Sequence, residues 1–174
     1  MKEFTDFVYS RLNKGLTPEK LFKHNNLLLA VLGLAGESFE AMKCITAEEL
    51  TSELGDVCFY MAILKRELGL NEWTIPTITD KVNFNAVRDL LDSSLELAEL
   101  VKKYIFQERI DLLEKIKERV NYFEAGLLKV CDELDISIQD CRTACVEKLT
   151  HRYPVMFTPE LSKNREVTDG NENI

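Results

Sequence analysis

The chain has 174 residues, 45% of them hydrophobic, which is enough to bury the core of one domain. Its formal net charge of −8 argues against nucleic acid as the main partner, because phosphate backbones are bound by extended basic surfaces. The longest apolar run, Leu27 to Ala35, is too short to cross a bilayer and disfavours a membrane protein. Five cysteines without a CxxC pair, and a polar start to the chain, predict a reduced, cytoplasmic protein.

Apolar residues recur at helical spacing along most of the chain, and only four prolines interrupt the pattern. Thr17-Pro18 marks a helix start, Thr46 and Glu49 match a capping box, and Gly69 is a good C-cap. We therefore predict an all-α fold without a sheet. Its helices, about six, cover residues 3–13, 18–44, 47–68, 83–106, 109–134 and a last segment from a Ser137 cap to Arg152.

The predicted helices form one domain that contains two related halves. An ExxE at Glu96 and Glu99 resembles the one in the first half, and the segment that follows Glu133 resembles the segment that follows Glu67. We interpret this as a diverged internal repeat whose second acidic site has eroded. The predicted boundaries are 1–154 for the domain, about 1–72 and 78–154 for its halves, and 155–174 for a polar tail.

Two acidic pairs, Glu37–Glu40 and Glu53–Asp56, lie within apolar helical sequence. Residues three apart lie on one face of a helix, so each pair would project two carboxylates in one direction. The segment between the pairs leaves room for a turn and an antiparallel return. Four carboxylates brought together in this way repel each other and are costly to desolvate. We therefore predict a cation site for Mg²⁺, which prefers oxygen ligands, with Mn²⁺ as a substitute.

A single ExxE is more often an ordinary exposed pair, since 30 of the 174 residues are Asp or Glu. The glycines of the same two helices, Gly33, Gly36 and Gly55, favour a site instead. Glycine costs about 1 kcal/mol relative to alanine inside a helix. Its presence at three positions therefore indicates close helix approach or space for a ligand.

The segments Gly33-Leu34-Ala35-Gly36-Glu37 and Glu53-Leu54-Gly55-Asp56-Val57 resemble the acidic motifs of a known family. That family is the MazG-like, all-α nucleoside triphosphate pyrophosphohydrolases, which have dimeric dUTPase and dCTPase relatives. A third segment, from Glu147 to Pro154, resembles the basic helix end that follows these motifs in the family. Here a second helix pair intervenes, unlike in short family members. This departure fits an internal duplication in a phage or bacterial member, and it leaves open which basic residues face the acids.

The resemblance implies Mg²⁺-dependent hydrolysis of a (deoxy)nucleoside triphosphate to the monophosphate and pyrophosphate. The four acids of the two pairs would hold the metal and activate water. Lys148 and Arg152 lie four apart on one helix face and would bind the phosphate chain. Asn25 and Trp73 are weaker candidates, for reading a base edge and for stacking on a base.

The alternative is a non-catalytic helical-bundle interaction protein whose acids only solvate its surface. On that interpretation Lys148 and Arg152 are ordinary cations near a helix C-terminus. Glu96 and Glu99 are expected to be surface or structural residues rather than metal ligands, and whether they take part in the site stays open. The apolar content of the long helices predicts a homodimer. Convergence of the four acids on one cleft would discriminate the enzyme from the interaction protein.

Overall fold

The computed structural model describes residues 2–11, 17–70, 86–153 and Thr158. Every regular element in these residues is helical, which confirms the predicted all-α class. A short 3₁₀ turn at Ile110–Leu112 precedes the sixth helix. The α-helices of the described residues are α1 (Lys2–Ser10), α2 (Pro18–Phe22), α3 (Asn25–Lys43), α4 (Ala47–Glu67), α5 (Val87–Phe106), α6 (Leu113–Glu133) and α7 (Ile138–Arg152).

The single helix predicted over residues 18–44 is interrupted between α2 and α3. His24 departs from helical geometry at φ −118° and ψ 14°, and its carbonyl accepts the backbone N–H of Leu28. The side chain of Asn25 accepts the backbone N–H of Asn26 at 2.7 Å. Such local side-chain bonds compete with the helical pattern and weaken the helix at this point. The described residues thus contain seven α-helices, in agreement with the predicted number of about six.

Two predicted N-caps are confirmed. Thr46 Oγ1 accepts the backbone N–H of Glu49 at 3.2 Å, and the Glu49 carboxylate accepts the backbone N–H of Thr46 at 3.1 Å. Ser137 Oγ accepts the backbone N–H groups of Gln139 and Asp140. These caps fix the starting points of α4 and α7.

The helices α4 and α6 end in the same backbone pattern. After α4, Gly69 has φ 65° and the N–H of Leu70 donates back to the last turn at 2.9 Å. After α6, Asp135 has φ 56° and the N–H of Ile136 donates back at 2.9 Å. Both endings are Schellman motifs, in which one residue adopts the left-handed conformation. The shared ending agrees with the proposed internal repeat, which stays a prediction.

One continuous core joins the long helices. The helix α3 packs against α4 and α5, α4 also packs against α7, and α5 packs against α6. The largest side chains that are fully buried come from all four of α3, α4, α5 and α6: Phe123, Leu34, Leu54, Leu64, Leu90, Leu97 and Ile116.

An ion pair lies inside this core. Lys65 on α4 is 2% exposed and Glu124 on α6 is 6% exposed. The Lys65 ammonium donates to both carboxylate oxygens of Glu124, at 2.7 and 2.9 Å. The pair therefore links α4 to α6, and each of the two buried charges has a hydrogen-bond partner.

All five cysteines have free thiols, as their spacing predicted. Across the described ranges, none of the helices has the combination of length and apolarity needed to cross a bilayer. The predicted connector over residues 70–80 and the predicted tail over 155–174 lie outside the described residues, apart from Leu70 and Thr158.

Candidate metal centre

Three of the four predicted acids come together. Glu37 on α3 and Glu53 and Asp56 on α4 each place a carboxylate oxygen within 4.8 Å of the others. All three side chains are partly buried. Within the described part of the chain, these residues form the one group of acids, histidines or cysteines that is close enough to share a cation.

The hairpin geometry of α3 and α4 produces this convergence. A three-residue loop joins the two helices, so they run antiparallel. Glu37 lies six residues before the end of α3, and Glu53 lies six residues after the start of α4. At about 1.5 Å of rise per residue, both side chains therefore lie at the same height above the loop. Asp56 follows one turn later on the same face of α4.

The fourth predicted acid, Glu40, lies outside this group. Its carboxylate pairs with the Lys43 ammonium at 3.0 Å, and its side chain is about half exposed. Positions three apart differ by about 60° around a helix axis. Since Ser38 and Ala41 face the core, this rotation carries Glu40 outwards while Glu37 stays beside α4.

Within the triad of Glu37, Glu53 and Asp56, the carboxylates of Glu53 and Asp56 raise the proton affinity of Glu37. Burial raises the pKa of Glu37 to about 7, and the neighbouring charges of Asp56 and Glu53 add to this effect. The Lys148 ammonium acts in the opposite direction and lowers the pKa of Glu37. A divalent cation would relieve the same repulsion more completely, because it carries two charges and accepts several oxygen ligands.

Lys148 reaches the triad from α7. Its ammonium donates to Asp56 Oδ2 and to Ser52 Oγ, the latter at 3.3 Å. The side chains of Lys148 and Asp56 are 17% and 19% exposed, so the contact is well shielded from water. The sequence predicted a phosphate contact for Lys148, and the structure adds this direct contact to a predicted metal ligand.

Two close helix approaches build the site. A Cβ added to Gly55 would lie 2.4 Å from the backbone oxygen of Cys141, so α4 and α7 touch at this point. A Cβ added to Gly33 would lie 2.3 Å from the ring of Tyr60, which packs over α3. Gly36, by contrast, has no atom within 4 Å of its added Cβ. Two of the three glycines thus mark close approach, as their helical positions predicted.

A cleft of about 580 Å³ opens beside the triad. Glu37 and Asp56 lie on its wall, and Arg152 at the end of α7 lines it as well. The rest of its lining is largely apolar or aromatic: Leu29, Phe59, Tyr60, Leu149, Thr150 and Tyr153. This volume is within the range of small-molecule sites in proteins.

The other predicted site residues lie apart from the triad. Asn25 is exposed in the first turn of α3 and is not among the residues that line the cleft. Trp73 lies outside the described residues. Glu96 pairs with Arg119, and Glu99 pairs with two lysines of its own helix. The expectation that Glu96 and Glu99 serve the surface agrees with these pairs.

Four residues near the triad or the cleft were not predicted from the sequence: Ser52, Phe59, Tyr60 and Tyr153. A signal for the two α4 aromatics was present, because they follow Asp56 by three and four residues and so lie near its face of the helix. Ser52 precedes Asp56 by four residues and carries the same signal. Tyr153 could not be found in this way, since only the packing of α7 on α4 brings it to the cleft.

The oxygen donors of the triad suit a hard divalent cation. All three ligands are carboxylates, which Mg²⁺ and Mn²⁺ accept, and the imidazole or thiolate that zinc favours is missing from the group. Burial is the main cause of the raised pKa of Glu37, and the negative charges of Asp56 and Glu53 raise it further against the opposing effect of Lys148.

Comparison of the chain with models of protein families finds no match, and neither a curated protein nor a solved structure matches it. The resemblance to the MazG-like family therefore depends on the motif residues quoted for it.

Proposed function

We propose that this chain is a divalent-cation-dependent hydrolase that splits a nucleoside triphosphate into the monophosphate and pyrophosphate. The observation that supports the proposal most strongly is the convergence of Glu37, Glu53 and Asp56 from two helices, beside a cleft that Glu37 and Asp56 line. Acids that only solvate a surface repel each other and point apart into water. These three are partly buried together, which costs free energy in the absence of a positively charged ligand.

Glu37, Glu53 and Asp56 would hold Mg²⁺, with Mn²⁺ as a substitute. When bound, such an ion neutralises negative charge on phosphate oxygens and lowers the pKa of a coordinated water. In the proposed reaction a water oxygen bonds to the α-phosphorus, and the bond from this phosphorus to the α–β bridging oxygen breaks. Pyrophosphate leaves, and a carboxylate at the site accepts the proton of the water.

The cleft combines charged and aromatic residues, which supports a nucleotide as substrate. Glu37, Asp56 and Arg152 line it, and Lys148 contacts Asp56, so a triphosphate bridged by a cation would bind beside these groups. The Arg152 guanidinium can contact two phosphate oxygens at once. Phe59 and Tyr60 also line the cleft, and a flat base could pack against their rings.

The test is a panel of canonical and modified ribo- and deoxyribonucleoside triphosphates, assayed with Mg²⁺ for release of pyrophosphate. Glu53→Gln and Asp56→Asn should each lower kcat at least about a hundredfold, because each keeps the side-chain shape but removes a metal-binding charge. Glu96→Gln is the matched control, since Glu96 pairs with Arg119 away from the triad. Near wild-type turnover of Asp56→Asn would contradict the proposal.

The variant Glu40→Gln tests whether Glu40 is a fourth ligand of the cation. The four-acid prediction expects a loss as large as that of Asp56→Asn. The position of Glu40, half exposed and paired with Lys43, instead favours a smaller loss. The ratio of the two kcat values therefore decides whether three or four acids take part.

We further propose that the chain forms a homodimer through the outer face of α3. Leu32 and Phe39 lie there about two helical turns apart and are 66% and 43% exposed. An apolar stripe of this kind usually marks a contact surface. Light scattering of the wild type and of Leu32→Glu should show a dimer and a monomer respectively; a monomeric wild type would exclude this assembly.

The same stripe favours the second candidate function, a non-catalytic interaction protein. That alternative would be favoured if no triphosphate in the panel is hydrolysed. Glu53→Gln should then keep full structural stability and unchanged partner binding. For either function we propose a cytoplasmic location, which the five free thiols support.

A further inference from the structure

The ammonium of Lys148 differs from the other lysine partners of acids on the surface. The lysines that pair with acids of their own helix have side chains that are 27% to 55% exposed, whereas that of Lys148 is 17% exposed. The Lys148–Asp56 pair joins α7 to α4 across 92 positions of the chain. It is therefore a product of the tertiary fold.

The scaffold positions Lys148 firmly. Ser137 caps the start of α7, and Gly55 allows the backbone of α7 to contact α4 at Cys141. Lys148 follows Cys141 by seven residues, which is about two helical turns, so it lies on the same face of α7. The contact of its ammonium with Ser52 Oγ at 3.3 Å adds a second anchor.

Lys148 and a divalent cation at the triad would both draw on the negative charge of the Asp56 carboxylate. A cation at the triad would also lie a few ångströms from the ammonium and would repel it strongly in this shielded environment. Binding of a cation must therefore displace Lys148 or weaken the cation's own affinity. A displaced ammonium needs a new anionic partner, and the cleft that Asp56 lines also runs along α7 beside Leu149.

We infer that Lys148 is a positioning residue that exchanges partners: it neutralises Asp56 in the absence of a divalent cation and moves to a phosphate when cation and polyphosphate bind together. This inference rests on the proposed function of the triad. Its consequence is a positive coupling between the two ligands. A cation alone competes with Lys148, whereas a cation with a polyphosphate supplies the partner that Lys148 requires. By linkage, each ligand then raises the affinity for the other by the same factor.

The experiment measures Mn²⁺ affinity by electron paramagnetic resonance, with and without inorganic pyrophosphate. The proteins are the wild type, Lys148→Met and Lys148→Arg. Lys117→Met is the control, because Lys117 pairs with Glu114 on the surface of α6 and is 28% exposed. Circular dichroism verifies that each variant is folded, and Lys148→Gln replaces Lys148→Met if the latter is unfolded.

Lys148→Met should bind Mn²⁺ alone about tenfold more tightly than the wild type, as expected for loss of one nearby, partly screened positive charge. Pyrophosphate should increase the Mn²⁺ affinity of the wild type and of Lys148→Arg, and should increase that of Lys148→Met clearly less. Lys117→Met should match the wild type in both measurements.

Two results would overturn the inference, and they are distinguishable. Unchanged or weaker Mn²⁺ binding by Lys148→Met, with normal binding by the wild type, would show that Lys148 does not compete with the cation; the proposed function would survive. Failure of the wild type to bind Mn²⁺ in either condition would remove the proposed function and the inference together.

Discussion

Replacement of Gly55 by alanine should separate the two helices that form the site. The new Cβ would lie 2.4 Å from the backbone oxygen of Cys141, whereas ordinary contacts begin at 3.4 Å. Since a backbone atom cannot rotate away, α7 must move by about 1 Å. Overpacking of this kind costs about 1–3 kcal/mol. The better helix propensity of alanine returns about 1 kcal/mol, so a net loss of up to about 2 kcal/mol is expected.

The same displacement of α7 should also lower the proposed catalytic rate. Lys148 and Arg152 are carried by α7, and a misplacement of about 1 Å can lower a catalytic rate about a hundredfold. Thermal unfolding followed by circular dichroism measures the stability change, and pyrophosphate release measures the activity. For a chain of this size, 1 kcal/mol corresponds to a shift in Tm of about 2–4 °C.

Gly36→Ala is the matched control, because it makes the same substitution inside the neighbouring helix. Its new Cβ has no atom within 4 Å, so only the gain in helix propensity of about 1 kcal/mol remains. We expect Tm to rise for Gly36→Ala and to fall for Gly55→Ala. Equal shifts in Tm for the two variants would refute the argument that close contact of α4 and α7 requires glycine.

Three further predictions concern stability. Lys65→Met should lower the free energy of unfolding by about 3–5 kcal/mol, because it leaves the Glu124 carboxylate buried without a partner, and Lys65→Met/Glu124→Leu should recover much of the loss in urea titrations. Because the pKa of Glu37 is raised from 4.5 to about 7 in the folded protein, its stabilising contribution is complete below pH 4.5 and is lost as the pH rises through 7. Thermal melts in a chelator should therefore show Glu37→Gln gaining stability over the wild type between pH 5 and pH 8, and parallel curves would contradict the assignment. Asp135→Gly should raise the free energy of unfolding by about 0.5–1 kcal/mol, because Asp135 has φ 56°, where glycine is unstrained; an unchanged urea midpoint would show that the aspartate side chain compensates.

Local signals in the sequence were sufficient for the helix ends. Thr46 with Glu49, Ser137 and Gly69 each act within four residues of themselves, so the pattern that predicts them is also the contact that forms. The break at His24 is local as well, but two consecutive asparagines only weaken a helix. Whether the helix bends, continues or restarts there depends on packing, which the sequence pattern does not specify.

The site was predictable to the extent that it depends on helical spacing. The pair Glu53–Asp56 and the single residue Glu37 were found because a three-residue spacing on two consecutive helices is visible in sequence. The position of Glu40 outside the triad was not, since it depends on which side of α3 faces the core. The contact of Lys148 with Asp56 depends on α7 returning to α4 after two intervening helices, and no spacing rule predicts such a long-range contact.

Glu37 and Glu53 lie at equal heights above their connecting loop. The geometry of the triad therefore depends more on the number of residues between them than on which residues these are. One residue inserted between Glu37 and the end of α3 would raise that carboxylate by about 1.5 Å and turn it by about 100° about the helix axis. Substitutions in the same stretch leave both quantities unchanged. The interval of 16 positions from Glu37 to Glu53 thus sets the relative height and direction of their carboxylates. Among diverged copies of this chain, the spacing should outlast the identity of the residues that fill it.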